Sequence, residues 1–150
     1  TRLPRAIRDV YKRQYLDYNH LTARLREPSL TDYAAAISYS ACRTANILHA
    51  KAIVAATKSG ATARLLSRYR SKAPIIAITP YEQVRKGLSL NFGIFPMPCK
   101  MFNSTDEILT EAKNTVFSLN FTQPGDDIIV AAGMPTTQTG GTNMLKIEKI

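Results

Sequence analysis

The chain has 150 residues, enough for one ordinary domain and too few for two. Hydrophobic residues make up 45% and charged residues 21%, a globular composition that excludes a disordered tail. No apolar run reaches the roughly 18 residues of a membrane-spanning helix, and two cysteines, Cys42 and Cys99, cannot build a disulfide scaffold and fit a reducing cytoplasm.

The formal charge of +9 raises the question of nucleic acid. Residues 1–14 carry Arg2, Arg5, Arg8, Lys12 and Arg13 against Asp9, a net of +4, which leaves +5 spread over the remaining 136 residues. A diffuse excess without interleaved aromatics is a solvated surface and not a strand-binding platform. Residues 1–14 also lack the apolar core of a secretory signal. They read either as an amphipathic arm or as a foreign basic segment joined to the domain.

From Ser29 the pattern becomes regular. Ser29 and Asp32 have capping-box spacing, and Ala34, Ile37, Ala41, Thr44 and Leu48 recur at helical intervals up to His49. Ala52–Ala56 reads as a buried strand, and the turn Thr57–Thr62 leads into a helix with Leu65, Leu66 and Tyr69. Ile75–Ile78 is a second strand. Thr79, Pro80 and Glu82 predict the next helix start, burying Val84 and Leu88. Ile94, Phe95 and Met97 form a third strand, which Pro96 and Pro98 are expected to end. Ser104 and Glu107 cap a helix whose face is Ile108, Ala112, Val116 and Leu119. Ile128–Ala132 and Leu145–Ile150 are the last strands, the second of mixed polarity and suited to an edge.

Strand and helix alternate until the final pair, which a loop of twelve residues, 133–144, joins without a helix. Parallel neighbours need a long crossover and antiparallel ones do not. The expected architecture is therefore a three-layer α/β sandwich with a mixed, mostly parallel sheet and an antiparallel last strand.

Two loops could hold a ligand. Thr57-Lys58-Ser59-Gly60-Ala61-Thr62 lies between a buried strand and a helix start, where unpaired N–H groups favour an anion. Three hydroxyls, a lysine and a close-approach glycine add to that, although the same residues would make a well-capped turn. Gly133 to Thr142 is rich in glycine and hydroxyls and follows a strand end, where open α/β sheets bind ligands. It would serve equally as a hairpin connection. Neither segment is a Walker A or Gly-x-Gly-x-x-Gly motif.

Independent catalysis finds no support. His49 closes a helix, and His20 has no nearby nucleophile. The pairs Asp106–Glu107 and Asp126–Asp127 sit where caps and turns use carboxylates. Cys42 lies beside a core face, as an inert thiol would. No Cys-x-x-Cys is present for a structural zinc.

From about Tyr15 to Ile150 the sequence resembles the C-terminal domain of the pyruvate kinase family. The match runs through Thr31-Asp32-Tyr33-Ala34-Ala35-Ala36-Ile37, Ala52-Ile53-Val54-Ala55-Ala56-Thr57-Lys58-Ser59-Gly60 and Tyr69-Arg70-Ser71-Lys72-Ala73-Pro74-Ile75-Ile76-Ala77. It continues in Gly93-Ile94-Phe95-Pro96, Gly125-Asp126, Gly133 and Gly141-Thr142-Asn143-Met144-Leu145-Lys146-Ile147. The resemblance implies a five-stranded sheet, residues 15–28 as the end of a barrel domain and its linker, and residues 29–150 as the family's C-terminal domain. Residues 1–14 do not resemble the barrel that should precede them.

The resemblance further implies a cytoplasmic glycolytic phosphotransferase. Its catalytic (β/α)₈ barrel, with phosphoenolpyruvate, ADP, Mg²⁺ and K⁺, would lie outside this sequence, so no cofactor is expected in the fragment itself and the fragment alone is expected to be inactive. Regulation is implied for this domain. Thr57, Lys58, Ser59, Gly60, Ala61 and Thr62 match a loop that holds a phosphate of a sugar-phosphate effector. Gly133, Met134, Pro135, Thr139, Gly140, Gly141 and Thr142 match the loop that closes over it. One interface of a homotetramer is also implied, with neither nucleic acid nor membrane as partner. Family members that bind fructose 1,6-bisphosphate often carry Trp and Arg around the closing loop. Here there is no Trp, and no Arg follows Gly133. A monophosphorylated sugar, AMP or no effector therefore stay open, as does a free-standing phosphate-binding module of the same fold without kinase activity.

Overall fold

The computed structural model of the chain describes residues 28, 32–134 and 141–150; the segments 1–14 and 15–27 and the proposed cap Ser29 lie outside these. Helix α1, Tyr33–Leu48, is opened by Asp32, whose carboxylate accepts from the Ala35 N–H at 2.9 Å. Asp32 is thus the cap itself and not the third helical residue that the Ser29–Asp32 spacing suggested. The buried face is Ala35, Ser38, Ala41, Cys42 and Ala45, while Leu48 is exposed. Of the expected face, Ala41 is fully buried, Ala34, Ile37 and Thr44 are half-buried and Leu48 is exposed; the side of α1 that meets the sheet is the one made of small side chains.

The sheet explains that choice. Strand β1, Ala52–Ala56, lies between β2, Ile75–Thr79, and β4, Asp127–Ala132, and is parallel to both. Ala55 is in register with Ala77 on one side and Ala131 on the other, forming a row of alanines across three strands. That row shares one core with Ala41, Cys42 and Ala45 of α1, and with Ala63 and Leu66 of helix α2, Ala61–Arg68. Small residues on both sides let helix and sheet approach closely. The other sheet face is bulkier, with Val54, Ile76, Ile78, Ile128 and Val130 against Ile108, Leu109, Ala112 and Val116 of helix α4, Thr105–Ser118. Each strand divides its side chains between the two cores by simple alternation.

Helix α3 spans Glu82–Leu88 and starts after Tyr81, with no side-chain cap. The predicted box from Thr79 to Glu82 does not form. Thr79 remains in β2, its carbonyl accepting from the Cys99 N–H at 3.2 Å, and Glu82 turns forward to Arg85 at 2.6 Å. Strand β3, Ile94–Pro98, contains both prolines that were expected to end it. It is an edge strand pairing only with β2, and odd-numbered residues such as Cys99 make the bonds to that neighbour. The nitrogens of Pro96 and Pro98 belong to the alternate set, so the ladder loses nothing.

Ser104 caps α4, accepting from the Glu107 N–H at 3.2 Å, while the Glu107 carboxylate accepts from the Asn103 N–H at 2.8 Å. The box is built as expected, with its return bond one residue earlier. Strand β5, Met144–Lys149, pairs antiparallel with β4 and closes a five-stranded sheet of order β3-β2-β1-β4-β5. This is the three-layer α/β architecture read from the sequence. Among the described residues, no helix is long and apolar enough to cross a membrane.

Candidate functional site

The strand order places a switch point between β1 and β4. From β1 the chain winds outward through β2 to β3, then returns to the other side of β1 as β4. In open α/β sheets the carboxyl ends of the strands at such a point splay their loops apart and leave a crevice. The two loops singled out in the sequence are those that follow β1 and β4. They flank a cleft of about 300 Å³ lined by Thr57, Lys58, Ser59, Ala61, Thr62, Gly133 and Gly141.

The 57–62 loop is organised from its backbone outward. Gly60 takes a φ of +84°, a left-handed turn that turns the chain into α2. Its N–H donates to Thr57 Oγ1 at 2.9 Å, and the Ala61 N–H donates to Ser59 Oγ at 3.4 Å. A hydroxyl that accepts in this way keeps its own proton to give, and the incoming bond polarises it. Thr57 and Ser59, both lining the cleft, thus accept from the helix start and keep a proton to donate. Thr62 Oγ1 instead meets Thr142 Oγ1 at 2.6 Å, a buried bond between the two loops.

On the far side, Gly133 and Gly141 line the cleft. Met134 and Thr142 are not among the residues that line it. Asn143 clasps the loop at its base: its carbonyl accepts from the Met134 N–H at 2.7 Å and its amide donates to the Met134 carbonyl at 2.6 Å. Pro135, Thr139 and Gly140 lie outside the described residues.

Sequence reasoning missed the cleft's third wall. Pro80 follows β2, Lys100, Met101 and Phe102 follow β3, and Ile108 comes from α4. The available signal was topological, since loops after parallel strands open at the same end of the sheet. Lys100 adds a second lysine to the lining, and Met101, Phe102, Ile108 and Pro80 make one side apolar. The cleft thus brings together hydroxyl-bearing residues, a helix start, two lysines and an apolar wall.

The remaining candidates have structural partners. Cys42 is buried against the Leu66 carbonyl, its thiol pushed up to about 12 by burial. Burial, with the charge of Glu111, also takes Cys99 up to about 12. Asp126 accepts from the Gln123 N–H at 2.8 Å, and Asp127 pairs with Lys149 at 2.9 Å. His49 is the left-handed C-cap of α1. Among the described residues, no three His, Cys, Asp or Glu side chains gather into a metal-ligand set.

Fold and cleft together define an open, doubly wound α/β domain with a ligand-sized crevice at its switch point. Residues 35–148 match the family model described as pyruvate kinase, alpha/beta domain. The chain is 57% identical over 137 residues to a pyruvate kinase of Clostridium perfringens, covering 90% of this chain and 29% of that protein. A pyruvate kinase of Clostridium acetobutylicum is 38% identical over 135 residues, covering 90% and 28%. One from Staphylococcus aureus is 42% identical over 134 residues, covering 89% and 23%. The chain belongs to the pyruvate kinase family, to its C-terminal α/β domain. It spans less than a third of the length of these curated relatives.

Proposed function

We propose that the chain is the regulatory and subunit-contact domain of a cytoplasmic pyruvate kinase, and that its cleft takes a phosphorylated small molecule. Phosphate transfer from phosphoenolpyruvate to ADP, with its Mg²⁺ and K⁺, is the work of a catalytic barrel. The role assigned to this chain's own residues is to bind and orient an effector.

One observation carries the effector reading. A helix start, the hydroxyls of Thr57 and Ser59 and two lysines face a single cleft at the carboxyl ends of β1 and β4. A phosphate there would meet the first-turn N–H groups of α2 and the positive end of its dipole. Lys58 and Lys100 add charge, and the apolar wall holds the uncharged part of the molecule. Ser59 sets geometry more than Lys58 does, because a short hydroxyl on a fixed turn has few alternative positions.

Subunit contact is supported by a second region. On α1, Tyr33 is 79% exposed and Ile47 70%, and on the open edge of the sheet Ile147 of β5 is 48% exposed. Large apolar groups on one helix and an unpaired strand edge suit association with another copy. Sedimentation at high concentration is expected to show self-association.

Calorimetry tests the cleft. Ribose 5-phosphate, glucose 6-phosphate, AMP and fructose 1,6-bisphosphate are titrated into the native chain and into Ser59→Ala. A lost hydrogen bond to a charged phosphate costs on the order of 1.5–3 kcal/mol, about tenfold or more in affinity. Binding that Ser59→Ala leaves unchanged would put the ligand elsewhere. Failure of all four to bind the native chain would leave a capped turn and no effector site.

A further inference from the structure

Arg64 stands one turn into α2, on the solvent side of the loop, and is not among the residues lining the cleft. Its side chain nevertheless reaches back five residues, donating from Nη1 to the Ser59 carbonyl at 3.0 Å. Its backbone N–H donates to the Gly60 carbonyl at 3.0 Å. The guanidinium lies flat over Gly60, so that a Cβ built on Gly60 would sit 3.1–3.2 Å from Nη1, Cζ and Nη2. Two consecutive carbonyls of the loop are therefore held by one residue.

That arrangement meets a specific difficulty of anion binding by backbone. A loop that presents N–H groups to a phosphate must keep its carbonyl oxygens turned away, since each carries negative partial charge. With the Ser59 carbonyl fixed on the outer side by Arg64, the N–H of the same peptide donates to Thr57 Oγ1 and the Ala61 N–H to Ser59 Oγ, so these two N–H groups act on a phosphate through the hydroxyls they bond to. Gly60 is favoured by its positive φ, and a Cβ there would also press on the guanidinium.

We propose that Arg64 is a positioning residue of the phosphate loop. It preorganises the anion-binding face from behind by holding the Ser59 carbonyl outward, and it lends positive charge without touching the ligand. The inference rests on the reading of the cleft as a phosphate site, and it adds a residue that the cleft lining does not contain.

The test uses inorganic phosphate as the probe and ¹⁵N–¹H spectra of the whole chain, following the Gly60, Ala61 and Thr62 amides. Three proteins are compared: native, Arg64→Met, which keeps the stem and loses charge and donors, and Arg64→Lys, which restores both. Thermal melting of each confirms that the exposed substitution leaves the fold intact. The native amides should shift on titration, Arg64→Met should bind about tenfold more weakly, and Arg64→Lys should recover most of the loss. Native and Arg64→Met titrating alike would overturn the role of Arg64 while leaving the phosphate site standing. Arg64→Lys binding no better than Arg64→Met would support the role in its stricter form, by tracing the effect to the guanidinium's hold on Ser59 and not to charge alone. Amides that do not respond to phosphate in the native chain would remove the site and the positioning role together.

Discussion

Thr62 and Thr142, separated by 80 residues in the chain, share a buried hydroxyl–hydroxyl bond of 2.6 Å. Thr62 belongs to the first turn of α2 and Thr142 to the connection that leads into β5, so the bond fastens one candidate loop to the other. Both side chains are almost wholly buried, at 5% and 2% exposure. In that setting a hydroxyl left alone forfeits its hydration without replacement. Thr62→Val or Thr142→Val alone should destabilise the chain by about 1–3 kcal/mol, and the double variant should recover part of that because no orphan remains. Urea denaturation of the four proteins measures the coupling. Strict additivity of the single losses would mean that the two hydroxyls act independently.

The close approach of α1 to the alanine row of the sheet gives a packing prediction. Ala41 is completely buried, in the same core as Ala55, Ala77 and Ala131. Ala41→Leu adds volume where the sheet cannot yield and should cost about 1–3 kcal/mol. On the outer face of the same helix, Arg43, which is exposed, gives the contrast: Arg43→Ala should change stability by less than about 0.5 kcal/mol. Thermal melting of the two variants separates a packed face from an open one.

Glu148 links β5 to α4. Its carboxylate meets Lys113 at 2.6 Å and Lys146 at 2.9 Å, and is itself only 14% exposed. Hydrogen bonds from Lys113 and then Lys146 hold its carboxyl below the usual glutamate value. A carboxyl lowered by folding gives its full stabilisation above the unfolded pKa and loses it as pH falls through the folded one. Stability should therefore decline on acidification below the ordinary glutamate range, and Glu148→Gln should flatten that part of the profile. Denaturant midpoints between about pH 3 and 7 give the comparison. An identical profile for the variant would show that the pair contributes nothing.

The two thiols give a chemical prediction. With both pushed up to about 12, by burial in each case, little thiolate exists at neutral pH, and the thiolate is the form that alkylates. Iodoacetamide at pH 7.5 should label Cys42 only on unfolding, and Cys99 more slowly than a small free thiol. Rapid modification of Cys42 in the native protein would mean that the core beneath α1 opens readily.

Much of this was legible in the sequence because the local signals agreed with the fold. Continuous apolar runs such as Ile75–Ile78 and Ile128–Ala132 have no alternative to a strand buried on both faces, and the short last connection required an antiparallel β5. The turn at Gly60 was recognisable from its composition. Other features depended on neighbours that a linear pattern does not contain. Which face of α1 is buried follows from the alanine row opposite, and Pro96 sits inside β3 because that strand has one neighbour only. Thr79 does not cap the helix because β2 runs on through it, and its hydroxyl accepts from the Tyr81 N–H at 3.4 Å, one residue short of the helix. In the cleft, Lys100, Met101 and Phe102 became visible only when strand order brought the loop after β3 beside the loop after β1. Arg64 escaped notice for another reason, since an arginine on an exposed helix surface looks the same whether it points outward or back onto Ser59.

The most direct test of the account is where a phosphate settles. A crystal structure of the chain grown with ribose 5-phosphate should show the phosphate at the start of α2, within hydrogen-bond reach of first-turn N–H groups and of the Ser59 hydroxyl, with the sugar toward Met101 and Phe102. A phosphate bound elsewhere on the domain, with the 57–62 loop unchanged, would contradict it.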